Sequence, residues 1–149
     1  MERITLAEYL YSKFYTSDEV QRHICEVIKN LARVGKIIYR HVRWAALEDM
    51  FGATGAINVQ DEEVKKLDEY SNEKFVEVFS RNHLVKTVIS EELGEPAHVD
   101  CGSPGDQFLL TLDPLDGSSN IDVDVTIGSI FGLFHRPDGF DSDQFRLPQ

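Results

Sequence analysis

The hydrophobic pattern of the chain changes period near its middle, from helical spacing to strand alternation. Residues 5–14 read as a short amphipathic helix. A second helix is expected to start at Thr16, because Thr16 and Glu19 have capping-box spacing, in which a hydroxyl and a carboxylate each satisfy an orphan amide. From there Val20, Ile24, Val27, Ile28, Leu31, Val34 and Ile38 recur at helical spacing and predict one long buried stripe. Gly52, Gly55 and the small residues between them predict a loop over residues 51–60. A third helix is expected over 61–79, with an acidic first turn that suits the helix dipole and Val64, Leu67, Phe75 and Phe79 on its buried face.

The period then shortens. Residues 83–90, HLVKTVIS, predict a strand that runs straight into Glu91 and Glu92. A loop with Gly94, Pro96, Gly102, Pro104 and Gly105 leads to a second strand, FLLTL, ending at Asp113. In IDVDVTIGSIFGLFHR the alternation of Ile121, Val123, Val125 and Ile127 marks a long strand, and Pro137-Asp138-Gly139 a turn after it.

Composition narrows the class. Hydrophobic residues at 42% and charged residues at 28% describe a folded globular chain, and 149 residues fit one domain. The net charge of −11 is unevenly placed: residues 1–50 hold 8 basic and 7 acidic groups, and residues 51–149 hold 7 and 19. That excess argues against nucleic acid as a partner and permits a hard-cation site. No run of roughly 18 apolar residues offers a membrane span, and the start, MERITLAEYLYSKFYT, does not read as a signal peptide. Cys25 and Cys101 lie far apart without C-x-x-C spacing, as two reduced thiols of a cytoplasmic protein would.

The acids that matter stand at strand ends, where α/β sheets place ligands. Glu91-Glu92 closes one strand and Asp113-Pro-Leu-Asp116 the next. In DPLDGSSN, Pro114 fixes a backbone angle and Asp116-Gly117 allows a tight turn. Asp113 and Asp116 can then point to one side, with the Leu115 carbonyl as a third oxygen. Mg²⁺ favours such carboxylate and carbonyl oxygens, completed by water or phosphate. The amides of Gly117, Ser118 and Ser119, with two hydroxyls, make an anion cradle beside it. Taken alone, D-x-x-D-G-S-S also fits an Asx-type surface turn. EF-hand spacing is absent, and Asp138, Asp141 and Asp143 read as a solvated turn, not a calcium loop.

S-E-E, then DPLDGSSNID, then I-G-S-I-F-G-L-F, together resemble the class I fructose-1,6-bisphosphatases, and upstream NVQDEEVKKLDEYSN is similar to that family's segment before its active site. The resemblance covers most of residues 5–136; within the wider superfamily of Mg²⁺-dependent, Li⁺-sensitive sugar and inositol phosphatases, which shares a looser pattern, the full run favours the bisphosphatases over inositol monophosphatase. It implies a layered α/β sandwich of the sugar-phosphatase type, with N-terminal helices followed by a mainly antiparallel sheet. The implied activity is Mg²⁺-dependent hydrolysis of the 1-phosphate of fructose 1,6-bisphosphate, in gluconeogenesis or the Calvin cycle. Sedoheptulose 1,7-bisphosphate is the alternative substrate. The implied Mg²⁺ ligands, for two or more ions with Mn²⁺ as a substitute, are Glu91, Asp113, the Leu115 carbonyl and Asp116. Asp68 and Glu92 match residues associated with activating the attacking water, and Asp116, Gly117, Ser118 and Ser119 match the segment holding the phosphate.

Two departures qualify the match. The family's AMP site uses a T-G-E-L-T turn, a Lys-Tyr pair, and a Tyr and an Arg on a later strand. Here the corresponding positions hold Gln21-Arg22-His23-Ile24-Cys25, Gln107-Phe108, and Phe134-His135 followed by Arg136. Lost hydroxyls and cations predict weak or absent AMP inhibition. Family members also continue past residue 149 into a sugar-binding half, so residues 1–149 are expected to be the N-terminal part of the fold. The resemblance further implies a homo-oligomer at full length. An alternative from another class is a non-catalytic, metal-binding fragment that pairs with a full-length subunit.

Overall fold

Three helices precede four strands among the described residues of the computed structural model: α1 (Leu6–Phe14), α2 (Glu19–Gly52), α3 (Ile57–Phe79), β1 (Val85–Ser90), β2 (Ala97–His98), β3 (Gln107–Asp116) and β4 (Gly128–Arg136). The described residues are 3–15, 18–52, 57–98, 107–118 and 126–136, with all of their side chains except those of 45–52, 57–66, 107 and 136. Cys101, Ser119, the alternating residues 121–125 and the acids from 138 onward therefore lie outside them.

α1 opens on a capping box one residue before the helix: Thr5 Oγ1 accepts from the Glu8 amide at 3.2 Å, and Glu8 Oε2 accepts from the Thr5 amide at 2.7 Å. α2 begins at Glu19, and its cap is Asp18, whose Oδ1 accepts from the amides of Val20 at 2.9 Å and Gln21 at 3.4 Å. The expected cap, Thr16, lies outside the described residues. An aspartate serves the position as well as a threonine and adds a negative charge at the positive end of the helix. The predicted stripe is the core: Val27, Leu31, Val34 and Ile38 are buried in one cluster with Phe75 and Phe79 of α3.

Of the loop expected over 51–60, residues 51–52 belong to α2 and 57–60 to α3, and residues 53–56 lie outside the described residues. Gly52 closes a helix, a place where glycine is favoured, and does not open a loop. α3 buries Leu67, Phe75 and Phe79 as predicted, and also Ser71 and Asn72.

The sheet has the order β2-β1-β3-β4. Two of its three pairings are antiparallel, β1 with β2 and β3 with β4, while the central pair β1 and β3 is parallel. α2 and α3 cover one face, where Val85 and Val88 of β1 meet Phe108, Leu110 and Leu112 of β3. β1 starts two residues later than predicted. Asn82 Oδ1 accepts from the amides of Leu84 and Val85, and His83 has a φ of 60°, so the chain turns before it extends. β3 extends past Asp113 to Asp116. β4 begins at Gly128, so Thr126 and Ile127 precede the strand. Ile127 owes its apolar character to packing against the core cluster, not to a ladder. Among the described residues no helix is long and apolar enough to cross a membrane.

Candidate metal and phosphate site

The parallel central pair explains why two acid pairs emerge together. β1 and β3 run in the same direction with Ser90 opposite Leu112, so both carboxyl ends arrive at one edge of the sheet. The Glu91 amide donates to the Leu112 carbonyl at 3.1 Å, which ties Glu91 to the residue before Asp113. Buried Ser90 then turns the chain: its Oγ accepts from the Glu92 amide at 3.3 Å and its carbonyl from the Leu93 amide at 3.1 Å. The two glutamates are thereby held on a tight turn.

The second acid pair sits on an irregularity of the β3–β4 ladder between Asp113 and Asp116. Pro114 and Leu115 are buried and Asp116 is exposed. Asp113 Oδ1 accepts from the Leu115 amide at 3.1 Å, and Ser129 Oγ donates to the Pro114 carbonyl at 2.8 Å. Gly117 follows with a φ of 83°, a left-handed conformation open to glycine without a steric penalty. The backbone turns there and leads into Ser118.

The third contribution comes from α3, which packs on both β1 and β3. Asp68 follows buried Leu67 on that helix and is half-buried. Burial pushes its carboxyl above the ordinary 3.8, a hydrogen bond with Ser118 pulls it down, and the Asp113 charge raises it. Exposed Glu91 is held above 4.5 first by the Asp113 charge, then by slight desolvation, by a hydrogen bond with Asp113, and by the charges of Asp116 and Asp68. Glu92 is raised by partial burial first and then by Asp68, Glu91, Asp113 and Glu69. The carboxyls of Asp68, Glu91 and Glu92 are thus raised in part by one another's charges and by that of Asp113, so these acids share one electrostatic field. Asp68, Glu91, Glu92, Asp113 and Asp116, from three elements, thus form one acidic constellation.

Among the described residues no three Asp, Glu, His or Cys side chains close on one point as a cage for an ion. The donor set suits an open hard-cation site, in which one or two carboxylates and a carbonyl are completed by water and phosphate oxygens, as Mg²⁺ prefers. An apolar groove of about 380 Å³ lies between α2 and the start of β4, lined by Leu31, Ile38, Phe131, Leu115 and Ser129. It contains none of the five acids, so it is not a phosphate pocket.

Each predicted site residue except Ser119, which is outside the described residues, therefore stands in or beside this constellation. Ser90 and Ser129 stand in the S-E-E and I-G-S-I-F-G-L-F segments but were given no role from sequence; they hold the two acidic turns. Pro114 signalled a break at the second, since it has no amide to give to a ladder.

The family model described as "Fructose-1-6-bisphosphatase, N-terminal domain" matches residues 4–146. Among curated relatives, a class 1 fructose-1,6-bisphosphatase of Thermosynechococcus vestitus is 36% identical over 141 residues, covering 94% of this chain and 40% of the relative. One of Maridesulfovibrio salexigens is 39% identical over 135 residues, covering 91% of this chain and 40% of the relative. The crystal structure of Leishmania major fructose-1,6-bisphosphatase in holo form superposes with a TM-score of 0.73 at 28% identity, covering 94% of this chain and 40% of that one. The chain spans about two-fifths of the length of the relatives it matches.

Proposed function

We infer the function from one premise: the chain belongs to the fructose-1,6-bisphosphatase family. The proposed reaction is Mg²⁺-dependent hydrolysis of the 1-phosphate of D-fructose 1,6-bisphosphate to fructose 6-phosphate and phosphate. We assign it to a cytoplasmic homo-oligomer serving gluconeogenesis or the Calvin cycle. Residues 1–149 form the N-terminal part of that enzyme, and a further half binds the sugar. The observation that carries the reading is the convergence of Asp68 of α3, Glu91 and Glu92 of the turn after β1, and Asp113 and Asp116 of β3. Five carboxylates in one field are costly without cations, and a cationic cofactor resolves that cost.

Glu91, Asp113, the Leu115 carbonyl and Asp116 would hold the ions, with Mn²⁺ able to replace Mg²⁺. When bound, such ions lower the pKa of water and stabilise charge on the phosphoryl and leaving oxygens. Asp68 and Glu92, which share the field of these ligands, would serve as the proton acceptors. The water proton passes to this pair as the water oxygen bonds to phosphorus and the bond from phosphorus to the C1 oxygen breaks. Ser118 keeps Asp68 oriented through their hydrogen bond. The backbone of Gly117, Ser118 and Ser119, turning at Gly117, receives the phosphate.

The test is a chimera of residues 1–149 with the remaining C-terminal part of the Thermosynechococcus relative, assayed for phosphate release with and without Mg²⁺. Fructose 1,6-bisphosphate is the expected substrate, and faster release from sedoheptulose 1,7-bisphosphate would reassign it. Asp116→Asn is expected to lower kcat by about a hundredfold or more, as loss of an ion-binding carboxylate does; an Asp116→Asn chimera as active as the parent refutes the metal assignment. The exposed Ile130, Phe131 and Phe134 of β4 favour one second reading, a non-catalytic chain that pairs with a full-length subunit. Phosphate release by the 149-residue chain alone would exclude it.

A further inference from the structure

We infer that Ser129 is a positioning residue for the metal-binding turn: by holding the Pro114 carbonyl it sets where the Leu115 carbonyl and the Asp116 carboxylate stand. The inference rests on the metal reading above and assigns a role to a residue outside the DPLDGSSN run.

β3 and β4 pair residue for residue from Gln107↔Arg136 to Asp113↔Ile130, and the next pair is Asp116↔Gly128. Pro114 and Leu115 thus stand together against Ser129 alone, which is a β-bulge, a device that re-aims side chains beside sites. Pro114 has no amide to give to a ladder, and it is fully buried, so its carbonyl has to find a partner. The partner is a side chain. Ser129 Oγ donates to the Pro114 carbonyl at 2.8 Å, the normal length of a good O–H···O bond.

The other end of the same peptide unit is held as well. The Leu115 amide donates to Asp113 Oδ1 at 3.1 Å. Because a peptide unit is planar, fixing its oxygen through Ser129 and its nitrogen through Asp113 fixes its orientation. The Leu115 side chain, buried in the core cluster, anchors the residue from a third direction. That anchored residue carries its own carbonyl and leads directly into Asp116, and these are two of the four oxygen sources of the metal reading. Remove the Ser129 hydroxyl and the Pro114 carbonyl loses its partner, so the peptide can tilt to satisfy it elsewhere. The metal oxygens tilt with it.

Thr and Val have the same shape at this position and differ by the hydroxyl. Mn²⁺, an EPR-visible stand-in for Mg²⁺, is titrated into the 149-residue chain carrying Ser129→Thr, Ser129→Val or Asp116→Asn, and thermal midpoints are recorded in EDTA. Ser129→Thr is expected to bind as the parent does, Ser129→Val to bind about tenfold or more weakly, as loss of an outer-shell partner does, and Asp116→Asn to lose saturable binding. Ser129→Ala, which removes bulk and adds none, replaces the valine variant if valine disturbs folding. Equal Mn²⁺ affinity of the Thr and Val (or Ala) variants, with Asp116→Asn defective, overturns the role of Ser129 and leaves the metal reading standing. A lowered midpoint without a change in affinity has the same consequence. Undiminished binding by Asp116→Asn overturns the metal reading and this inference with it.

Discussion

At His83 the chain adopts a φ of 60°, and among the described residues no other non-glycine residue has a positive φ. The conformation costs an L-residue about 1–2 kcal/mol. Asn82 holds it there, because its Oδ1 caps the amides of Leu84 at 2.9 Å and Val85 at 3.2 Å, the start of the strand that ends in Glu91. His83→Gly removes the steric cost and adds back some unfolded-state entropy, so the net expectation is about 0.5–1 kcal/mol of added stability. A urea midpoint that rises with an unchanged m-value supports this; one that falls shows that the imidazole repays its strain. Gly117 presents the opposite case. Its φ of 83° suits glycine, so Gly117→Ala is expected to cost about 1–2 kcal/mol. It should also weaken Mn²⁺ binding, since the turn lies between Asp116 and Ser118. A variant with parental stability and affinity would show that the turn has a second conformation as good as this one.

At the scale of elements, β4 is the strand whose placement was least legible. A Cβ built on Gly132 would meet Thr111 Oγ1 at 2.8 Å and Phe134 Cε2 at 3.1 Å, and Thr111 Oγ1 already donates to the Gly132 carbonyl at 3.4 Å. Gly132→Ala is therefore expected to cost about 1–3 kcal/mol by overpacking. Thr111→Ala should absorb part of that cost, so the double variant loses less than the two single ones together. Strictly additive urea midpoints would mean the two strands simply move apart. The α2 and α3 stripes could be read in advance because a helix displays its burial every three or four residues. Pairing between strands is not local. Nothing in HLVKTVIS says that it lies parallel to FLLTL, and alternation at 121–127 reports apolar faces whether or not a ladder forms. The carboxylates were legible as types and as strand-end positions; the roles of Ser90 and Ser129 were not, because a hydroxyl's partner depends on turns and strand pairing that their motifs do not spell out. The register also bears on AMP. Gln107 and Phe108 face Arg136 and His135 across the β3–β4 ladder, so the positions where family members carry AMP-binding residues are neighbours here with altered chemistry. AMP is expected to inhibit the chimera weakly or not at all, and strong inhibition in a titration would show that Arg136 or another cation has taken over the lost contacts.

For the whole molecule, the charge of −11 is partly concentrated in one constellation, and that determines how stability varies with pH. Asp68, Glu91 and Glu92 are all held above their ordinary values of 3.8, 4.5 and 4.5. In that range the folded chain retains protons that the unfolded chain has released. Stability must then fall as pH rises through the folded values, and it recovers as pH drops back toward the unfolded ones. This is the reverse of ordinary paired carboxylates, whose contribution is lost in acid. Glu91→Gln removes one of the mutually repelling charges, the one on which Asp113 acts most strongly. The variant is expected to melt above the parent at pH 7 in EDTA, and the gap should narrow toward pH 4. Mg²⁺ should reverse the order, since an ion that binds only the folded chain stabilises it in proportion to its affinity, and the parent keeps the better site. Thermal midpoints across pH, with and without Mg²⁺, decide it. A Glu91→Gln chain that is less stable than the parent in EDTA would mean that the acids are held together by something other than a cation. A Mg²⁺ shift equal in both chains would place the ion away from Glu91.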